Sequence, residues 1–257
     1  MPKDLPPRSP VLMWGDAPAE AQVPARGPAR VPDCVPTLVP AHTALIVIDL
    51  QRDFLDPRGY AARAGVDVAR LRATLGPTLL LIAAMRAAGA HVIYTRDGHR
   101  PDLSDCPPAK RVRSRHAGAE IGSPGPLGRV LVRGEIGHGL VDELQPRADE
   151  PVIDKPGYSA FHQTDLDHIL RSWGVDTVIV CGVTTEVCVH STVRAAVDHG
   201  LRCITESDAC AASEPALQQP ALAMMAVEGG IFGVVLDSTT AIAALHQSAT
   251  HHAPRHR

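Results

Sequence analysis

Six short runs of strand-forming residues, separated by stretches with helical spacing, constrain this chain more than any other feature of it. The runs are ALIVID (44–49), HVIYT (91–95), PVIDK (151–155), TVIVCG (177–182), RCITE (202–206) and IFGVVL (231–236). The first is continuously apolar, as a parallel strand buried on both faces must be. Leu71, Leu75, Leu79, Ile82 and Met85 keep a helical period through 68–88, and Gly89 stops it. Further helices are expected over 164–173, with Thr164 as cap and Asp165 and Asp167 at the positive end, from Cys188 to about His199, over 214–227 and over 239–246. Strand and helix alternate throughout. The expected fold is α/β: a six-stranded parallel sheet with helices on both faces, Rossmann-like. The Pro- and Ala-rich residues 1–40 read as an extended arm, 41–247 as the domain and 248–257 as a polar tail. Residues 97–137 read as a long loop, a feature that is usually functional or lies at a subunit interface.

Composition narrows the partners. A formal charge of −3 gives no reason to expect nucleic acid or an anionic membrane. No uninterrupted apolar run reaches the roughly 18 residues of a membrane span. The N-terminus, MPKDLPPRSP, lacks the apolar core of a secretory signal. Six cysteines without a CxxC pair do not form a disulfide framework in a chain of 257 residues, so a cytoplasmic location is the expectation. Aromatics make up 3%, too few for stacking to dominate recognition. The expected partner is a small-molecule substrate.

Reactive groups in doubly wound folds lie beyond the carboxyl ends of the strands. Asp49 ends the first strand, Lys155 ends the third, and Cys188 follows the fourth in the first turn of a helix. All three face one edge of the sheet. Unpaired N–H groups and the helix dipole favour a thiolate at such a position, and the same N–H groups can hold an oxyanion. Each residue alone has an ordinary reading: a paired Asp49, a rim charge at Lys155, a packed thiol at Cys188. Their convergence points to nucleophilic catalysis.

The segments IDLQRDF (48–54), DKPGYSAF (154–161) and GVTTEVCV (182–189) together resemble the isochorismatase-like cysteine hydrolases, whose members include nicotinamidases. The resemblance spans about residues 43–247. It implies a catalytic set of Asp49, Lys155 and Cys188, no cofactor, and a cis peptide between Val183 and Thr184 in the loop that cradles the oxyanion. The implied chemistry has Asp49 taking the thiol proton, Lys155 favouring both anions, and the thiolate attacking an amide carbonyl.

The segments 98–138 and EGGIFG (228–233) resemble the biuret and triuret hydrolases of this family. Those enzymes carry a Gln where this chain has Glu228. A carboxylate only accepts hydrogen bonds and attracts a cation, so the expected substrate is guanylurea, cleaved with release of ammonia. Biuret or triuret is the alternative. A ureidoacrylate or N-carbamoyl amidohydrolase is a further one, as is a non-catalytic binding protein on the same fold. An isochorismate-cleaving enzyme needs a pocket for a dianion, which Glu228 would repel. Glu228 paired with Arg96 or Arg100 would instead say nothing about substrate. Phe54, Phe161 and Tyr158 are expected as pocket walls, and Arg100, Lys110 and Arg115 as groups that reach the pocket or fix the long loop. Nicotinamidases carry an Asp-x-His-x-x-x-x-x-His metal cluster. Here Asp97 and His99 keep two positions but Asp105 replaces the last. These residues are expected to pair with nearby arginines; a metal held with Asp105 is the other option. Family members are often oligomers, and a homotetramer is expected.

Overall fold

The structure is a computed structural model that describes residues 36–251, with side chains to 247. Most of the expected arm and the end of the expected tail lie outside the described residues. Six strands form one sheet: β1 (Thr43–Ile48), β2 (His91–Asp97), β3 (Val152–Lys155), β4 (Thr177–Val183), β5 (Arg202–Ala211) and β6 (Val234–Leu236). Their order is β3-β2-β1-β4-β5-β6, and every pairing is parallel. The chain builds outward from β1 to β3, then returns to lay β4 on the other side of β1. The strand order therefore reverses between β1 and β4, where such sheets open a crevice at their carboxyl ends.

All residues of β1 and β4 are buried, which accounts for their unbroken apolar sequence. Side chains alternate between two helical layers. In β5, Cys203 approaches a carbonyl of α7 (His190–Asp198) on one face. Cys181 of β4 meets Thr78 of α4 (Leu75–Ala88) on the other. The last helix, α9 (Ser238–His251), packs on α4 and runs past the expected end at 246. β1 and β4 approach so closely at Gly182 (φ 116°) that a Cβ there would lie 2.1 Å from the Ile48 carbonyl oxygen. Glycine is required at that point.

Two local readings change. The helix expected over 68–88 is two helices, α3 (Val68–Arg72) and α4. Pro77 has no N–H to offer the Ala73 carbonyl, so the helical ladder is interrupted between them. By length and composition alone Val68–Ala88 is long and apolar enough to cross a membrane. Here Leu71, Leu75, Leu81, Ile82 and Met85 are buried in the core beside the sheet. The segment 97–137 is not a plain loop: it holds α5 (Pro108–His116) and a small hairpin pairing Pro124–Gly125 with Gly128–Arg129. The IDLQRDF motif continues into two single-turn helices, α1 (Arg52–Leu55) and α2 (Tyr60–Arg63).

Candidate active site

The carboxyl ends of β1, β3 and β4 bring Asp49, Lys155 and Cys188 together. Lys155 Nζ lies 2.8 Å from Asp49 Oδ2 and 3.4 Å from Cys188 Sγ, and donates to the Gly157 carbonyl at 3.0 Å. The other Asp49 oxygen accepts from Thr95 Oγ1 at 2.7 Å. Asp49 itself sits in the left-handed backbone region (φ 53°), uncommon for a residue with a side chain. Asp49 and Lys155 are fully buried, and Cys188 is 4% exposed.

Burial governs the protonation of this set. It pushes the Cys188 thiol well up, against the favourable Lys155 charge, with the Asp49 and Asp97 carboxylates adding to the rise. Desolvation thus works against the thiolate that the sequence reading has the helix terminus and Lys155 favouring. Burial also raises Asp49 despite Lys155 beside it. Lys155 moves the other way. Burial works to lower it, but Asp49, Cys188 and Asp97 outweigh that and hold the ammonium charged. The arrangement is a thiol and a carboxyl whose proton affinities burial raises, beside a fixed cation.

The peptide Val183–Thr184 is cis, as the resemblance implies. Cys188 does not open an α-helix. It lies in a π-helical turn, Thr185–Val189, that leads into α7. Gln218, on α8 (Pro215–Met225), clamps this loop: its Oε1 accepts from Thr185 Oγ1 at 2.8 Å and Ala212 N at 2.7 Å, and its Nε2 donates to the Cys210 carbonyl at 3.0 Å.

A cavity of about 400 Å³ opens onto Cys188 and Thr184. Phe54 and Tyr158 line it, as expected. Phe161 does not; its ring stacks on His199 at 4.7 Å. Arg100 does not either. It lines a neighbouring surface depression, and its backbone N–H donates to Asp105. Glu228 is exposed on a left-handed turn (φ 52°), outside the lining, and makes no ion pair among the described residues. Arg96, its suggested partner, pairs with Asp154. Arg115 is spent on Glu120. Lys110 does reach the cavity, where its ammonium lies 3.1 Å from Asp97 Oδ1. That lysine, not an arginine, takes Asp97, while His99 meets Asp105 at 3.2 Å, which in turn meets Arg133. Among the described residues no three of His, Cys, Asp and Glu gather as a metal-holding group.

The sequence reading missed Tyr60, Arg113, Glu186 and Glu214, which also line the cavity. Arg113 was legible only if α5 had been recognised, since it then falls one turn from Lys110. It also missed the brace beneath the long segment. Asp53 Oδ2 accepts from Leu131 N at 3.0 Å, and burial pushes this carboxyl up to about 6. A Cβ at Gly137 would lie 2.6 Å from the same carboxylate. Asp53 thus braces the C-terminal end of the excursion over the site.

Comparison with known proteins fits this geometry. The isochorismatase domain model matches residues 43–240. The chain is 37% identical over 163 residues to the ureidoacrylate amidohydrolase RutB of Pantoea ananatis, an alignment covering 59% of this chain and 62% of that protein. It is 33% identical over 216 residues to the RutB of Methylorubrum extorquens, covering 82% and 86%. Among solved structures, a cysteine hydrolase from Pseudomonas syringae pv. phaseolicola superposes with a TM-score of 0.68 at 29% identity, over 87% of this chain and 99% of that one. The N-carbamoylsarcosine amidase of Thermoplasma acidophilum gives 0.59 at 28% identity, over 76% and 96%. With its Asp–Lys–Cys cluster on the edge of a 3-2-1-4-5-6 parallel sheet, the chain belongs to the isochorismatase family of cysteine hydrolases.

Proposed function

We propose that this protein is an amidohydrolase that cleaves a C–N bond of the ureido group of a small molecule through a covalent Cys188 intermediate. One observation carries the reading: a buried ammonium touches both a carboxylate and a thiol at the floor of a cavity large enough for a small substrate. The names of the relatives, ureidoacrylate amidohydrolase and N-carbamoylsarcosine amidase, support the ureido group as the reacting part.

The chemistry follows from the contacts of Lys155 with Asp49 and Cys188. Substrate entry displaces water and brings a carbonyl carbon to Sγ. Asp49 takes the thiol proton as the S–C bond forms, and Lys155 offsets the negative charge that this creates. Backbone N–H groups of the Val183–Cys188 loop hold the oxyanion. As the tetrahedral centre collapses, the C–N bond breaks and Asp49 returns its proton to the leaving nitrogen. Water, deprotonated by Asp49, then attacks the S-acyl carbon and frees Cys188.

The guanylurea reading loses its physical footing, because Glu228 faces solvent away from the cavity. Ureido acids such as ureidoacrylate take first place, with biuret, triuret and guanylurea as competitors. The test is product release from each of these, with Cys188→Ala as the blank. Turnover of any ureido compound that vanishes in Cys188→Ala supports the reading. Silence on all of them, or turnover surviving in the variant, overturns it.

A further inference from the structure

Helix α5 carries two cations on the cavity wall, Lys110 and Arg113, at the i, i+3 spacing that puts side chains on one helix face. Lys110 is 6% exposed. Its Nζ donates to the Asp97 carboxylate at 3.1 Å and to the Pro156 carbonyl at 2.9 Å. A third contact runs to Asp97 Oδ2 at 3.4 Å, so the three donors of this ammonium all meet protein acceptors and its charge is met by Asp97. The ring of Tyr158 lies 5.0 Å from the same nitrogen.

Arg113 is in a different state from its neighbours. Arg111 and Arg115 both pair with Glu120. Arg113 forms no ion pair among the described residues, and its guanidinium makes one long contact, 3.5 Å to the Tyr158 hydroxyl. The opposite polarity lies on the nucleophile's own loop. Glu186 accepts from Ser213 N at 2.9 Å through Oε1, while Oε2 is buried with no hydrogen-bond partner. Glu214 adds a second, exposed carboxylate to the cavity lining.

The cavity thus offers acceptor capacity at Glu186 and Glu214 and, on α5, the guanidinium of Arg113 without an ion pair among the described residues. A ureido group is rich in N–H donors; a carboxylate is an acceptor that an arginine fork matches in two bonds. We propose that Arg113 is the specificity-determining residue that holds a carboxylate borne by the substrate, an inference that rests on the ureido-hydrolase reading above. The ureido end lies toward Glu186 and Cys188. A neutral urea would leave Arg113 unused.

The test compares kcat/KM for 3-ureidoacrylate and N-carbamoylglycine with that for biuret and guanylurea. The wild type favours the acids. Arg113→Met lowers the ratio of acid to neutral-urea kcat/KM by about 10- to 100-fold, mainly through KM, the effect of losing a charged hydrogen-bond pair. Arg113→Lys restores part of it. Preference for biuret or guanylurea in the wild type, or a ratio unmoved by Arg113→Met, overturns the assignment and leaves ureido hydrolysis standing. Should none of the four turn over, the functional reading fails by itself. Calorimetric binding of N-carbamoylglycine to Cys188→Ala, with and without Arg113→Met, then decides the role of Arg113. Binding weakened by about tenfold or more supports it; equal binding, or none to either variant, overturns it.

Discussion

The Thr95 hydroxyl donates to Asp49 Oδ1 at 2.7 Å, so a residue of β2 aims the carboxylate that ends β1. Lys155 holds the other oxygen. A hydrogen bond to the ionised form lowers the pKa of a carboxyl. In Thr95→Val that support is gone and burial raises Asp49 further. The acid limb of kcat/KM should move to higher pH, with a loss of about tenfold near neutrality. A pH–rate profile checks this; an unmoved acid limb would mean that the limb reports another group.

Burial pushes the Cys188 thiol well up, against the favourable charge of Lys155. Alkylation of Cys188 by iodoacetamide, read by loss of activity and peptide mapping, should be slow at pH 7. The rate should still be climbing at pH 9, since only the thiolate reacts. A plateau reached by about pH 6 would show instead a pre-formed thiolate like that of cysteines at helix N-termini.

Gln218 spans Thr185, Ala212 and Cys210 through one side-chain amide. It touches no reacting atom, so its part is positioning. Gln218→Leu frees the loop that carries Cys188. The expected result is a fall in kcat of about 10- to 100-fold with a much smaller change in KM. Equal changes in both would place Gln218 in substrate binding.

Glu206, on β5, is fully buried, and neither carboxylate oxygen has a hydrogen-bond partner. Burial raises it well above 4.5, with Asp208 and Asp237 adding to the rise. The sign follows from linkage. Above pH 4.5 the unfolded chain releases this proton while the folded chain keeps it, so stability falls as pH rises toward the folded pKa. The contribution is about 1.4 kcal/mol per pH unit within that window. Glu206→Gln cannot ionise. In urea melts at pH 5, 7 and 9, the variant should gain on the wild type at each step. A constant difference would show that Glu206 ionises in the folded protein as it does in the unfolded one.

The parallel sheet was legible because buried strands leave continuous apolar runs, and the chemistry because three such strands end in Asp49, Lys155 and the Cys188 loop. Helix α5 was not legible. PPAKRVRSRH has no apolar stripe, and only Lys110 and Ser114 are buried on it. With the helix hidden, Arg113 could not be placed on the cavity wall. Glu228 failed for another reason: a sequence neighbour of a substrate-binding motif says nothing about which way a left-handed turn points. The thiol state of Cys188 depends on how deeply three chain segments bury one another, a tertiary quantity that no local pattern carries.

Intact-protein mass spectrometry of a rapidly quenched reaction tests the central claim most directly. With a ureido substrate the enzyme should gain the mass of one acyl group derived from it, mapped by peptide analysis to Cys188 and lost as turnover completes. Cys188→Ala should show neither adduct nor product. Product formation in Cys188→Ala, or an adduct mapped to another residue, would contradict covalent catalysis by Cys188.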